Sequence, residues 1–320
     1  MGLSLTNQRL IEIFNLAHEN FYSSLENNTH KSIHWKMYDE RDYSLQKLIN
    51  FREKEGLSVG LDDNSQLNLT AELYKKHVDL LTEDYILNNM NKRNIGNSPW
   101  NIFHKGKYID PNRLIHLRWF RYLNHDLKGR QMPKNFCEIG GGFGSFADII
   151  IKNLNIKLIS IDLPEANLLT AYYLKENYPD KKFYLYDDYY KYKFLSLEDF
   201  DNNDIIILPP NCIIDQRIRI DLFVNARSMM EMNFQAISSY FDFIHRFISR
   251  NGYFLNINRY KKKIGEEMIR ISEYPYDNDW KVIRSIVSPT QKHIHYFFTQ
   301  RTNLSEERNI QQKLRELHRN

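Results

Sequence analysis

A glycine-rich segment behind a short apolar run constrains the fold of this chain more than any other feature. The run at 135–139 is typical of a buried strand, with Glu138 near its end. The segment after it carries a glycine at every second position, namely Gly140, Gly142 and Gly144. Glycine lacks a Cβ, so the chain can turn sharply there and bring its backbone against a ligand. Because the predicted helix at 145–154 would point its N-terminal amides at the same place, we expect a ligand-binding loop.

The spacing of these glycines distinguishes two classes of nucleotide-binding loop. The dinucleotide fingerprint has glycines at its first, third and sixth positions, and the sixth position counted from Gly140 is Ser145. A second apolar run at 157–162 ends on Asp162, whose carboxylate can accept hydrogen bonds from both hydroxyls of a ribose. The pattern favours an adenosyl ligand. In the alternative interpretation the glycines form only a turn and Asp162 caps the next helix.

Beyond residue 135, short apolar runs alternate with amphipathic segments, as a mostly parallel sheet with crossover helices requires. Strands are predicted at 135–139, 157–162, 182–187, 205–209, 220–225 and 252–257, and helices at 145–154, 165–177 and 234–249. Two later runs, 280–287 and 293–299, are joined by a short polar link and predict an antiparallel hairpin. The sequence therefore predicts an α/β fold, a Rossmann-like sheet that is mostly parallel and ends in an antiparallel hairpin.

The pattern of the chain divides it into three parts. Residues 1–130 are typical of amphipathic helices, and we expect them to form a helical lid and acceptor region. Their polar aromatic loop between Trp100 and Tyr108 is the candidate acceptor contact. Residues 131–302 contain the ligand loop and make up the catalytic domain, and the charged segment 303–320 predicts a surface helix or tail.

The composition excludes several classes of protein. A net charge of +4 is too small to indicate a nucleic-acid partner. The two cysteines, Cys137 and Cys212, form neither a disulfide framework nor a metal-binding pattern, so we expect no metal and a reducing, cytoplasmic location. No apolar stretch approaches about 18 residues and the N-terminus lacks a signal-peptide pattern, so no membrane span is expected. A homo-oligomer is compatible with the sequence.

The glycine loop, the acidic residue after the second strand and the closing hairpin resemble those of the Rossmann-like S-adenosylmethionine-dependent methyltransferases. More narrowly, five blocks are similar to the sugar O-methyltransferases of surface-polysaccharide and antibiotic biosynthesis. These blocks lie at 138–144, 161–165, 207–209, 221–232 and 253–258. The resemblance implies S-adenosyl-L-methionine as cofactor and, as acceptor, the hydroxyl of a sugar that is free, nucleotide-linked or part of a glycan.

The cofactor residues are expected at the ends of the predicted strands. Glu138 would meet the amino end of the methionine moiety above the three alternating glycines, and Asp162 would hold the ribose. Leu163, next to Asp162, and Asn211, in the loop after the strand at 205–209, are the other candidates for cofactor binding. The loop with Asn211 would frame the adenine. Two acidic residues after the preceding strand are rivals for that place, Asp187 and Asp188.

The acceptor residues are expected after the strand at 220–225. Glu231 is the candidate general base, because methyl transfer to a hydroxyl needs a base near the oxygen. Ser228 and Asn225 would hold neighbouring hydroxyls, although Glu231 and Ser228 can instead brace the following helix. His245 is the second candidate base, but a single histidine on such a helix is more often a packed residue. The motif Leu208-Pro-Pro lacks the Asn or Asp that amino-methylating enzymes carry before two prolines, which favours an oxygen acceptor.

Two other functions fit the same fold. A non-catalytic partner subunit would keep the fold, but its glycine loop or its ribose-binding acid would be expected to decay, and both are present here. A nicotinamide-dependent oxidoreductase would carry a glycine at the sixth position of the loop, where this chain has Ser145.

Overall fold

The computed structural model of the protein describes residues 6–23, 43–53, 56–57, 66–288, 291–302 and 310–318. The described helices are α1 (Asn7–Ser23), α2 (Leu45–Ile49), α3 (Gln66–Leu81), α4 (Glu83–Asn89), α5 (Pro111–Leu127), α6 (Ser145–Leu154), α7 (Pro164–Asn177), α8 (Tyr186–Tyr192), α9 (Leu197–Asn202), α10 (Phe234–Phe247) and α11 (Ile310–His318). Short 3₁₀ turns cover Met229–Glu231 and Ile271–Glu273. None of these helices has the length and apolar character needed to cross a membrane.

The described strands are β1 (Ile102–His104), β2 (Lys107–Ile109), β3 (Asn135–Ile139), β4 (Lys157–Ile161), β5 (Phe183–Tyr184), β6 (Ile205–Leu208), β7 (Ile220–Ala226), β8 (Ile248–Arg259), β9 (Lys261–Ile264), β10 (Glu267–Arg270), β11 (Trp280–Val287) and β12 (Ile294–Arg301). Eight of them form one sheet in the order β11-β12-β8-β7-β3-β4-β6-β5. The pairs from β8 to β5 are parallel, and β12 is antiparallel to both its neighbours. The predicted α/β fold with a closing antiparallel hairpin is confirmed.

The order of the strands determines where a ligand can bind. From β3 the chain first moves to β4 and β6 on one side and then crosses to β7 and β8 on the other. The loops that leave the carboxyl ends of β3 and β7 therefore diverge and open a crevice, the usual ligand site of such sheets. Both faces of the sheet are covered, and each of the four residues of β6 is buried. This explains why its sequence is a continuous apolar run.

Three predicted elements differ in the structure. The strand predicted at 182–187 ends at Tyr184 and α8 follows, because the Asp188 carboxylate accepts from the Leu185 N–H at 3.3 Å and so starts a helix. The loop predicted around 100–108 is a hairpin, since Lys105 and Gly106 both take positive φ at its turn. The predicted surface helix at the C-terminus is α11, which buries Leu314 and Leu317 along one face. The segment 303–309 and residues 319–320 lie outside the described residues.

A buried ion pair connects the N-terminal region to the sheet domain. Arg113, in the first turn of α5, is completely buried and forms an ion pair with Asp148 on α6. The same guanidinium donates to the Tyr173 hydroxyl of α7 at 2.9 Å and to the Asn89 carbonyl at 2.9 Å. Asp110 caps α5 by accepting from two of its backbone N–H groups. One side chain therefore joins α4, α5, α6 and α7.

Candidate active site

The glycine loop between β3 and α6 leaves the sheet at the predicted crevice. All three alternating glycines have positive φ, at 72° for Gly140, 62° for Gly142 and 83° for Gly144. A Cβ at Gly140 would lie 1.8 Å from Ser228 Oγ, so only glycine fits there. A Cβ at Gly142 would meet no described atom within 4 Å. The loop is therefore pressed against the segment after β7 at its first glycine and is open to a ligand at its second.

Asp162 follows β4 and lies next to the open part of the loop. Its carboxylate accepts from the Gly142 N–H at 3.0 Å and from the Leu163 N–H at 2.8 Å. Burial raises the pKa of Asp162 to about 7, and the charges of Glu165 and Glu231 add to this effect while the two backbone donors oppose it. The predicted pairing of Asp162 with the glycine loop therefore has a defined geometry, with Leu163 beside it.

Glu138, in β3, is only 2% exposed. Its Oε2 atom has no hydrogen-bond partner among the described residues. A Cβ at Gly141 would lie 2.5 Å from that atom, so the carboxylate lies directly below the loop. Burial raises the pKa of Glu138 to about 8, and the neighbouring charge of Asp162 raises it further. The charges of the two carboxylates therefore act on one another, and the buried Oε2 of Glu138 lacks a hydrogen-bond donor.

Asn225, near the end of β7, is completely buried. Its amide donates to the Ile139 carbonyl at 2.7 Å, and its oxygen accepts from the Met229 N–H at 3.1 Å and from Asn258 Nδ2 at 2.8 Å. The expectation that Asn225 holds an acceptor hydroxyl is therefore corrected, because its amide is enclosed and occupied by protein partners. Its role is to fix the end of β3 to the turn that carries Ser228 and Glu231.

Sequence reasoning did not identify the rest of this asparagine network. Asn258, in β8, accepts from the Met230 N–H at 3.1 Å and donates to Asn256 at 2.6 Å. Both asparagines are completely buried. The signal in the sequence was two amides alternating inside an apolar strand, since buried polar side chains normally require such partners.

Glu231 ends the 3₁₀ turn that follows β7. Its Oε1 is 2.8 Å from Lys262 Nζ, and its side chain is mostly buried. The charge of Glu231 affects both Asp162 and Arg227, so it lies between the ends of β4 and β7. Ser228 lies against the loop at Gly140, and Glu231 follows three residues later in the same turn.

His245, the second candidate base, lies away from the crevice, whereas His116 lies beside the glycine loop. His245 occupies the last turn of α10. This helix starts near the crevice and rises about 1.5 Å per residue towards the amino ends of the strands. There its Nε2 accepts from Trp280 Nε1 at 3.2 Å, so the expectation of a catalytic His245 is corrected. His116 on α5 lies at the crevice, with Nδ1 3.2 Å from Ser145 Oγ. Burial, with the nearby charge of Arg227, lowers the pKa of His116 to about 3 and keeps its ring neutral.

The residues expected around an adenine, Asn211, Asp187 and Asp188, lie in different surroundings. Asn211 is exposed in the turn after β6, at φ 60°. Asp187 forms an ion pair with Arg9 of α1, and Asp188 starts α8, so both of these carboxylates have protein partners.

A small, partly open pocket lies nearby between α1, α7 and the end of β6. Its lining is mainly apolar and includes Phe14, Pro164, Asn167 and Pro209. Asn167 donates to the carbonyls of Asp162 and Leu208 at 2.8 and 2.9 Å, while its buried Oδ1 has no partner among the described residues. The pocket therefore begins behind Asp162.

The described residues contain no group of three or more His, Cys, Asp or Glu side chains suited to hold a metal ion.

No family model matches the chain, and no curated protein matches it. Among solved structures, phosphoethanolamine N-methyltransferase 1 from Haemonchus contortus is 11% identical over 79% of this chain and 53% of its own, with a TM-score of 0.38. The mitomycin 7-O-methyltransferase is 12% identical over 60% of this chain and 57% of its own, with a TM-score of 0.38. A methyltransferase from Pyrococcus furiosus is 13% identical over 74% of this chain and 99% of its own, with a TM-score of 0.41. The chain thus spans little more than half the length of the first two.

Proposed function

We propose that the protein is an S-adenosyl-L-methionine-dependent methyltransferase that methylates a hydroxyl of a sugar. One observation carries the cofactor assignment: the buried Glu138 and the half-buried Asp162 lie beside a glycine loop that is open at Gly142. Two such carboxylates are costly to ionise unless a cationic ligand joins them. A ligand with an ammonium group, a sulfonium group and a ribose diol supplies both positive charge and hydroxyl donors.

The residues of the site also favour this ligand over a dinucleotide. The unsatisfied Oε2 of Glu138 can accept from the ammonium group, and each oxygen of Asp162 has a further lone pair for a ribose hydroxyl. A dinucleotide would bring its diphosphate towards the same two carboxylates, where like charges repel. The charge of the site, as well as its glycines, therefore favours S-adenosyl-L-methionine as the ligand.

When bound, S-adenosyl-L-methionine supplies an electrophilic methyl group on its sulfonium. The chain must then place an acceptor oxygen opposite that methyl and remove its proton. Glu231 is our proposed base, because it lies in the turn after β7, its charge acts on Asp162, and its ion pair with Lys262 orients the carboxylate. Ser228, in contact with Gly140, can donate a hydrogen bond to the acceptor. His116 is the second candidate base by its position at the same crevice, although its lowered pKa makes it the weaker proton acceptor.

We further propose that the described parts of the N-terminal region, residues 6–23, 43–53 and 66–130, cover the site and exclude water. Arg52 lies 4.8 Å from the ring centre of Phe143 in the glycine loop, and Phe51 packs at 5.5 Å from the same ring. On the other side of the crevice α1 packs on α7, where the Tyr22 hydroxyl donates to Glu165 at 2.6 Å. Exclusion of water would strengthen the electrostatic interactions of the enclosed carboxylates. Direct contact of the hairpin at 100–108 with the sugar stays a prediction.

Binding and turnover test this proposal separately. Calorimetry of the full chain should show binding of S-adenosyl-L-methionine and of its demethylated product, and no binding of a nicotinamide dinucleotide. Incubation with cofactor labelled in the methyl group and a panel of nucleotide sugars should label one acceptor. A preference for the dinucleotide would contradict the cofactor assignment. Binding of the cofactor with no label transferred to any sugar would instead support the non-catalytic alternative or another acceptor.

A further inference from the structure

Two arginines end neighbouring strands on the side of the crevice away from Asp162. Arg227 directly follows β7 and Arg259 is the last residue of β8. The two strands are parallel neighbours, with Ala226 opposite Ile257, and the Arg227 N–H donates to the Ile257 carbonyl at 2.7 Å. Because the two arginines lie at paired ends of adjacent strands, we expect their side chains to lie close together at the same edge of the site. Arg227 takes a positive φ of 65°, which costs energy for a residue with a Cβ.

Neither guanidinium is satisfied by protein. Across the described ranges, Arg227 makes no side-chain hydrogen bond or ion pair. The Nε of Arg259 is buried and has no partner among the same residues. Burial lowers the pKa of Arg227, and the charge of Arg259 lowers it further, whereas Glu231 opposes both effects. Glu231 itself is paired with Lys262 at 2.8 Å, so its charge is already engaged by a cation other than Arg227.

The charges of Arg227 and Arg259 act on histidines beside the glycine loop and before β12. The charge of Arg227 lowers the pKa of His116, whose ring lies 3.2 Å from Ser145 Oγ at the start of α6. Both arginines also lower the pKa of His293, which precedes β12. The site therefore has two halves of opposite charge. The carboxylates of Glu138 and Asp162 lie towards β4, and the unsatisfied guanidinium groups lie towards β8.

We propose that Arg227 and Arg259 form a subsite for an anionic group of the acceptor, so that the substrate is a charged sugar. This inference rests on the proposed function, because it assigns the second half of the same crevice. A guanidinium presents a planar fork of N–H donors that matches the oxygens of a phosphoryl or carboxylate group. A sugar phosphate, a nucleotide sugar and a uronic acid all offer that chemistry. The unpartnered guanidinium groups would then gain the hydrogen bonds that the protein does not give them.

Anion binding to the full chain without cofactor tests the subsite. The probes are diphosphate, glucose 1-phosphate, glucuronate and, as the neutral reference, glucose, measured by calorimetry at constant ionic strength. We expect at least one anion to bind and glucose to bind no more than weakly. Preference for the phosphate probes or for glucuronate then identifies the anionic group. Equal binding of glucose and all three anions, or no binding of any anion, would overturn the proposal.

Variants at the two ends of β8 provide the matched comparison. Arg259→Gln should weaken binding of the preferred anion by about 10-fold or more, as expected for a lost hydrogen bond to a charged group. Arg250→Gln, at the exposed opposite end of the same strand, should leave it unchanged. Arg227→Lys keeps the charge without the fork and should give an intermediate loss. Equal losses of anion affinity in Arg259→Gln and Arg250→Gln would refute a local subsite.

Cofactor binding separates this proposal from the proposed function. Affinity for S-adenosyl-L-methionine should be unchanged in Arg259→Gln, which also shows that the variant is folded. A chain that binds anions through Arg259 but not the cofactor would keep the subsite and refute the methyltransferase assignment. A chain that binds and uses the cofactor with no dependence on Arg259 would refute the subsite alone.

Discussion

Glu138→Gln should stabilise the protein without ligand and weaken its binding of cofactor. The substitution keeps the shape of a 2% exposed side chain and removes its charge. Folding raises the pKa of Glu138 from 4.5 to about 8, so between these values the native state holds a proton that the unfolded chain has lost. The stability that Glu138 contributes is therefore fully present below the unfolded pKa and is lost as the pH rises through the folded pKa.

The size of the stability difference between the two proteins follows from the pH interval between 4.5 and about 8. Each pH unit within it lowers the free energy of unfolding of the wild type by up to about 1.4 kcal/mol, whereas the glutamine does not titrate. Relaxation of the protein around the buried charge reduces the total, and we expect a stability difference of about 1–3 kcal/mol at its maximum. The difference should grow from pH 4.5 to about 8 and then level off.

Urea unfolding of both proteins at a series of pH values measures this difference directly. The control is Glu266→Gln, because Glu266 is exposed in the turn between β9 and β10, and its difference should stay near zero at every pH. Saturating S-adenosyl-L-methionine should stabilise the wild type more than Glu138→Gln, since the cofactor stabilises in proportion to its affinity. A difference that is flat with pH, or a variant less stable than the wild type at alkaline pH, would refute the burial argument.

Four further results are expected. Asp162→Ala should weaken the binding of S-adenosyl-L-methionine by about 2–4 kcal/mol in calorimetry, through two lost charge-assisted hydrogen bonds, and an unchanged affinity would remove Asp162 from the site. Affinity for the cofactor in wild type should rise as the pH increases through about 7 and 8, where Asp162 and Glu138 ionise, and calorimetry showing the opposite trend would contradict a cationic ligand. Glu231→Gln should slow methyl transfer by about 10²–10⁴-fold with little change in cofactor affinity, and near-normal turnover would transfer the role of base to His116. Asn225→Ala should lower the free energy of unfolding by about 1–3 kcal/mol in urea, and an effect near zero would contradict its bracing role.

The geometry of the proposed cofactor half of the site was predictable because its signals are local in sequence. The loop from Gly140 to Gly144 follows directly from β3, and Asp162 directly follows the neighbouring strand, so spacing alone indicated their meeting. The same holds for the fold, since apolar runs separated by helical segments leave few alternatives for a parallel sheet.

The acceptor half was predicted less well because its contacts join distant segments. Nothing in the sequence around Asn225 shows that Ile139 and Asn258 would occupy its amide. His245 and His116 are equally plain in sequence, and only the direction of α10 and the packing of α5 decide which of them reaches the crevice. A tertiary arrangement, rather than a local propensity, determines each of these outcomes.

The buried ion pair of Arg113 and Asp148 has a consequence for how this fold can be divided. A chain cut near residue 131 would lose the arginine and leave the Asp148 carboxylate enclosed in α6 without its main cation. Breaking such a pair from one side typically costs about 3–5 kcal/mol, a large part of the stability of a domain. The sheet with its glycine loop is therefore not an independently stable unit. A chimaera that exchanges acceptor regions between related proteins will have to transfer α5 together with the helix surface that its arginine joins.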